Sequence, residues 1–342
     1  MSTPPCYFLT AGRRNTVLVL RESDVTKVLD GAESAVLDLV RVVYAEHAKG
    51  LSIIPHSVFL RFPDDPAKRV IGLPAASRGD RPVVGFKWIA SFPANIDREI
   101  PRASAVVVLN SLDTGRPEAF LSAATISARR TGAGAAVAAS VFPPTQTDRL
   151  LLVGCGAINL EVLRFCQEVF PDLTEIALHD REQHRGELFK EKARQLWPRL
   201  RYRTEPDLAG ACREYPLISL ATTAGSPYLT TDFSPGTTVL HLSLRDLPVE
   251  TILASRNVVD DADHVCREQT SLHLAEQHCG HRGFIHDDIG SAVLRGDVSS
   301  APDTVTVVSP FGLGVLDIVL AAYVREHAGD IPRGVQIDDF LF

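Results

Sequence analysis

The chain has 342 residues, 45% of them apolar and 23% charged, a composition typical of a folded protein with material for two cores. Disordered, collagenous and coiled-coil classes are excluded. Thirty-five Lys plus Arg against 42 Asp plus Glu leave a net charge of −7, so no overall field draws nucleic acid or an anionic membrane.

Six cysteines, at positions 6, 155, 166, 212, 266 and 279, are scattered without a CxxC pair. In a chain this long they predict reduced thiols and a cytoplasmic location. Met1 to Asn15 holds no apolar run of the kind a signal peptide needs, so that end is expected to be unprocessed. The most apolar stretches, Gly132 to Phe142 and Val315 to Val324, fall short of the ~20 residues that cross a bilayer, and Asp317 interrupts the second.

In chain order, Val36, Leu39, Val40, Val43, Tyr44 and His47 recur at helical spacing before Gly50, which predicts an amphipathic helix with a glycine cap. Four β-rich runs follow, at Ser57 to Phe62, Val70 to Leu73, Val83 to Ile89 and Ala105 to Leu109. An Asp113-Thr114-Gly115 turn predicts that Glu118 to Leu121 folds back as a hairpin partner. This first third reads as an α+β unit.

From about residue 149 apolar strands alternate with helix-length segments: Arg149 to Val153, Glu175 to His179, Leu217 to Ala221, Thr238 to Leu242 and Val258 to Val259. That alternation predicts βαβ units and a parallel sheet. A last strand, Thr304 to Val308, leads into a helix from Gly314 to His327 whose apolar face can return to the first unit. The fold class expected is α/β, with a dinucleotide-binding domain over 131–310 inserted into a discontinuous α+β substrate and dimerisation domain formed by 1–130 plus 311–342.

The first chemical signal is Leu151-Leu152-Val153-Gly154-Cys155-Gly156-Ala157-Ile158-Asn159, a buried-type strand running through a glycine turn into a helix that ends near Phe170. Gly154 suits the tight turn, and Gly156 lets a pyrophosphate approach the helix N-terminus, while Asn159 replaces the third glycine of the Rossmann fingerprint. The next strand ends at Asp180, 24 residues beyond Gly156, where an acid can bond the ribose hydroxyls. Its carboxylate would repel a 2′-phosphate, so NAD is expected rather than NADP; the adjacent Arg181 keeps the alternative open.

Four ordered motifs carry a family resemblance: Gly85-Phe86-Lys87-Trp88, Leu112-Asp113-Thr114-Gly115-Arg116-Pro117, Ile126-Ser127-Ala128-Arg129-Arg130-Thr131 and Val153-Gly154-Cys155-Gly156. From about Val19 to Tyr323 the chain resembles the ornithine cyclodeaminase/μ-crystallin family. Pro101-Arg102-Ala103-Ser104, Ser271 to Glu276 and Gly296-Asp297 are most similar to its dehydrogenases of 2,3-diaminopropionate biosynthesis, a siderophore or antibiotic precursor. These act on N-(2-amino-2-carboxyethyl)-L-glutamate.

The resemblance implies a homodimeric, NAD-dependent enzyme on a small amino-acid substrate. It implies that Lys87 and Arg130 hold a substrate carboxylate, with Arg130 also near the cofactor phosphates. His56, Arg102 and Phe311 would complete the substrate site; His56 stands where many relatives carry an arginine. Cofactor contacts would come from Arg130, Thr131, Gly154, Cys155, Gly156, Ala157, Ile158, Asp180, Arg181, Thr222, Leu242, Ser243 and Leu244. Lys87 also stands out on its own, because an unpaired ammonium inside the apolar run Val83 to Ile89 is costly. Arg61 is a further candidate cation.

Asp246 follows the Thr238 to Leu242 strand, outside the carboxyl end where open α/β sheets bind substrates. The family resemblance makes it the catalytic acid–base group, taking the amine proton and then activating water for attack on an imine. His273, His278, Cys279, His281, His286, Asp287 and Asp288 are rich in metal-ligating types, but their spacing fits no closed zinc pattern, and no metal is expected. The same pocket chemistry also suits an ornithine cyclodeaminase, a ketimine reductase, or a μ-crystallin-like protein that binds nucleotide without turnover.

Overall fold

The computed structural model describes residues 16–296, 298–328 and 334–340. Two eight-stranded sheets organise it. Strands drawn from residues 17–122 and from Val335–Ile337 build the first, mixed sheet, and strands between Arg149 and Ser309 build the second.

Period-two patterning makes the first sheet one-sided. Asp65–Ser77 pairs antiparallel with Val58–Phe62 and with Val83–Ser91, which pairs with Ala103–Asn110, which turns through Gly115 into Pro117–Ser122. Directly opposed residues share a face. Lys87, Ile89 and Ser91 therefore look inward, and Trp88 opposite Val106 looks outward. The helix Gly314–Ala328 covers the inner face, returning to this sheet as the sequence pattern predicts.

In the second sheet every pairing is parallel. Its central strands, Arg149–Val153, Glu175–His179, Leu217–Leu220 and Thr238–His241, fall within a residue or two of the predicted runs, since a strand buried on both faces reads as a continuous apolar run. Arg149–Val153 lies between Glu175–His179 and Leu217–Leu220, so the strand order reverses beside it. Such a switch point opens a crevice at the carboxyl strand ends. Thr306–Ser309 slots between Thr238–His241 and Arg256–Val259 before the chain leaves for the final helix.

Helix Ala124–Val141 joins the sheets and crosses helix Ala157–Val169 closely. A Cβ at Gly132 would lie 2.5 Å from the Glu161 backbone, so only glycine permits this crossing. Asp297 of the Gly296-Asp297 motif and Cys6 lie outside the described residues. Among the described residues no helix is long and apolar enough to cross a membrane.

Candidate active site

A cavity of about 1740 Å³ opens at the switch point, between the carboxyl ends of the second sheet and the first-sheet strands. Gly154 adopts φ +90°, and a Cβ there would meet the Ala221 carbonyl oxygen at 2.5 Å, so the turn demands glycine. Gly156 is the N-cap of helix Ala157–Val169; no side chain caps that end, and a Cβ at Gly156 would meet nothing within 4 Å. Free helix N–H groups over an open cradle suit a pyrophosphate.

Asn159 does more than replace a glycine. Its buried amide donates to the carbonyls of Val153 at 2.9 Å and Gly154 at 2.7 Å, and accepts from Ser219 Oγ at 2.7 Å. It clamps the turn to the neighbouring strand. Asp180 accepts the Cys155 backbone N–H at 2.7 Å and that of Glu182 at 2.9 Å, fixing an acid at the tip of the second strand. Arg181 is 92% exposed, with Glu182 as its ion-pair partner. Gly154 to Ile158, Asp180, Arg181, Thr222 and Arg102 all line the cavity.

Lys87 is not the unpaired cation that its apolar run suggests. Its Nζ lies 2.6 Å from Asp317 Oδ2 and 3.3 Å from Ser127 Oγ. Arg130 Nε stands 3.2 Å from the same carboxylate oxygen. Burial, and the Arg130 charge nearby, pull the Lys87 ammonium down to about 8 against the opposing pull of Asp317. Burial would raise the Asp317 carboxyl, but two cations hold it below the ordinary carboxylate range. Among the described residues, Asp317 Oδ1 has no hydrogen-bond partner. The lone charge inside the apolar run Val315 to Val324 was the signal for this residue.

The loop from Phe311 to Gly312 covers Arg130. Gly312 adopts φ +97°, and a Cβ there would sit 2.6 Å from Arg130 Nη1. Asp260 pins the loop by accepting the Phe311 N–H at 2.8 Å and the Gly312 N–H at 2.7 Å. The Phe311 ring lies 6.1 Å from His264, which His56 meets edge-on at 5.4 Å.

Asp246 is wholly buried. Its carboxylate accepts from the hydroxyls of Thr222 and Ser243 and lies 3.3 Å from His241 Nε2. Burial acts to raise this carboxyl, but His241, Ser243 and Thr222 together hold it below its ordinary value, as the anion. Tyr228, whose phenol is pushed up by burial and by that anion, lines the cavity beside Thr222.

The sequence-predicted residues thus fall into three groups around one space. Thr222 and Tyr228 connect Asp246 to the cavity, and Ser127 connects Lys87 to it. Lys87, Arg130, His56, Phe311, Asp246, Thr131, Leu242, Ser243 and Leu244 stand outside the cavity lining. Thr131 spends its hydroxyl on the Ser127 carbonyl at 2.7 Å. Leu242 and Ser243 donate backbone N–H groups to the Leu220 carbonyl, and Leu244 holds φ +66°. Among the described residues, the His and Asp types between 273 and 288 assemble no metal-holding group.

A match to the ornithine cyclodeaminase/mu-crystallin family spans residues 19–331. The chain belongs to that family. Among family relatives, the N-((2S)-2-amino-2-carboxyethyl)-L-glutamate dehydrogenase of Staphylococcus aureus is 25% identical over 323 residues, covering 91% of this chain and 95% of the relative. The solved Thermococcus litoralis Delta(1)-pyrroline-2-carboxylate reductase, in complex with NADH and L-proline, superposes with a TM-score of 0.86 at 21% identity, covering 94% of this chain and all of that one. An archaeal alanine dehydrogenase dimer with bound NAD superposes at 0.84 with 22% identity, covering 95% and 100%. These structures share the fold of this family member.

Proposed function

We propose that this family member is an NAD-dependent dehydrogenase that oxidises N-(2-amino-2-carboxyethyl)-L-glutamate, with hydrolysis of the imine to 2-oxoglutarate and L-2,3-diaminopropionate. One observation carries the reading: the dinucleotide cradle lines a cavity that Thr222 links to a buried, anionic Asp246 and that Ser127 links to the buried cation Lys87. The relative from Staphylococcus aureus supports the choice of substrate. NAD would be held by the Gly154 to Gly156 turn and Asp180, and it supplies the hydride acceptor.

The chain's own residues do the rest. Lys87 and Arg130 hold a substrate carboxylate as point charge and fork, and Asp317 keeps both cations charged and aligned. Asp246, anionic at neutral pH, takes the amine proton on its carboxylate and then serves the attacking water. Ser243 and Thr222 fix that carboxylate, and the Phe311–Gly312 loop packs against the Arg130 guanidinium.

The same reading divides the chain into a substrate and dimerisation domain, 1–130 plus 311–342, around a nucleotide domain, 131–310. The outward sheet face supports dimerisation, because Val58, Leu60, Trp88 and Val106 remain 68%, 50%, 43% and 38% exposed on one apolar surface. The five cysteines among the described residues are unpaired, which suits a reducing cytoplasm.

The test is absorbance of NADH formed from NAD with N-(2-amino-2-carboxyethyl)-L-glutamate, L-alanine, L-proline and L-ornithine. Net NADH with the first, and 2-oxoglutarate among the products, is the expected result. Release of ammonia from L-ornithine without net NADH would replace this function with cyclodeamination.

A further inference from the structure

Arginines gather where the first sheet meets the loops of the second. Arg61 lies directly opposite Arg69, Arg69 lies opposite Ser91, and Arg102 Nη1 donates to Ser91 Oγ at 3.0 Å. From the second sheet's side comes Arg245, whose Nη2 donates to the Glu268 carbonyl at 2.6 Å. Glu268 also pairs through its carboxylate with Arg61. The Arg69 side chain has neither a hydrogen bond nor an ion-pair partner among the described residues.

Opposed like charges on neighbouring strands are destabilising, and Glu268 together with Asp246 still leaves the four guanidiniums in excess. The loops that deliver Arg245 and Glu268 are themselves strained: Leu244, Glu268 and Gln269 hold φ of +66°, +56° and +56°. Local rules broken together in this way mark functional sites. Burial, and after it the charge of neighbouring arginines, lowers the guanidinium pKa of Arg69, Arg102 and Arg245. This excess of positive charge wants anions.

The sheet places these anions. Lys87, Ile89 and Ser91 share the inner face of one strand, and Ile89 and Arg102 both line the cavity. The four residue steps from Lys87 to Ser91 span about 13 Å of strand. Arg245, adjoining Asp246, comes from the second sheet's side and lies close enough to Arg69 to feel its charge. Arg69 and Arg245 sit behind the cavity lining, which Arg102 reaches.

We propose that Arg69, Arg102 and Arg245 form a second anion subsite, which holds the remote carboxylates of a substrate whose reacting end is bound by Lys87. The substrate class is then an extended secondary amine with carboxylates at both ends, and one-carboxylate amino acids are poor ligands. This rests on the dehydrogenase reading above for the reaction, but not for the binding.

The test titrates 2-oxoglutarate, with two carboxylates, against pyruvate, with one, into the protein saturated with NADH. Wild type, Arg69→Gln, Arg245→Gln and the double variant are compared, with melting temperature and NADH affinity measured in each. Wild type should prefer 2-oxoglutarate at least tenfold, and each substitution should cut that preference about ten- to a hundredfold, down to parity, while leaving NADH affinity unchanged. Because Arg69 lacks a partner and faces Arg61, Arg69→Gln should melt no lower than wild type. A wild type without preference, or a preference that survives in the double variant, overturns the subsite. So does a lost preference accompanied by weaker NADH binding and a lower melting temperature, which would make these arginines supports of the fold. Amine oxidation is scored separately: a subsite confirmed without NAD reduction by any amine refutes the dehydrogenase alone, and turnover with the preference intact in the double variant refutes the subsite alone.

Discussion

Replacing Asp317 with Asn removes the buried charge shared by Lys87 at 2.6 Å and Arg130 at 3.2 Å. Lys87 is 2% exposed and Asp317 wholly buried, so water cannot take over as partner. Breaking a buried pair from one side costs about 3–5 kcal/mol, or roughly 4–7 °C in melting temperature for a chain of this size. Lys87 also titrates. Its value of about 8 lies below the ordinary 10.5, so the unfolded chain binds more protons between those values and stability rises with pH across that window. Substrate binding moves the opposite way, because a neutral amine holds no carboxylate: kcat/KM should fall as pH rises through about 8 in the wild type. In Asp317→Asn that alkaline limb should move lower, and Lys87→Met added to it should cost less than the two changes summed. Calorimetry and a pH–rate profile measure these effects. A variant that melts with the wild type and keeps its alkaline limb would refute the shared-carboxylate account.

Asp246→Asn keeps the size of the side chain and removes its basicity, so kcat/KM should drop by ~10²- to 10⁴-fold while NADH binding, followed by fluorescence, persists. Near-normal turnover would leave Asp246 a purely structural anchor for Thr222 and Ser243. With Asp180 held by two backbone N–H groups, NADP should bind at least about tenfold more weakly than NAD, and equal turnover with both cofactors would show the carboxylate swung away in favour of Arg181. Gly154→Ala forces a side chain into φ +90° and against the Ala221 carbonyl; NAD affinity should fall, with roughly 1–3 kcal/mol of stability, and unchanged NAD binding would mean that the turn does not hold the cofactor.

The central strands of the second sheet, the glycine turn with Asp180, and the final helix were legible in sequence because each is a local pattern, whereas its edge strands Arg201–Thr204 and Ile285–Asp288, polar and partly exposed, were not. A strand buried on both faces must be apolar throughout, and a turn at φ +90° must be glycine. The long span Asp65–Ser77 shows the limit: only Val70 to Leu73 read as strand, because Pro66, Pro74 and the charges of Lys68 and Arg69 mask the rest. The short strands Val17–Leu20 and Val335–Ile337 gave no signal either, since residues more than 300 apart in the chain pair there.

The site divides the same way. Family motifs pointed to Lys87, Arg130 and Asp246 one at a time, but what each one faces is decided by contacts between distant segments. Asp317 reaches Lys87 across 230 positions, and Asp246 meets Thr222 across 24. The sequence by itself determined which residues carry charge and which local turns they can occupy. Only the tertiary structure decided their ionisation and company: that Lys87 is paired, that Asp246 is an anion, and that Arg61, Arg69, Arg102 and Arg245 are neighbours. Burial and the charges packed against a group fix its proton, and neither is a property of the local chain.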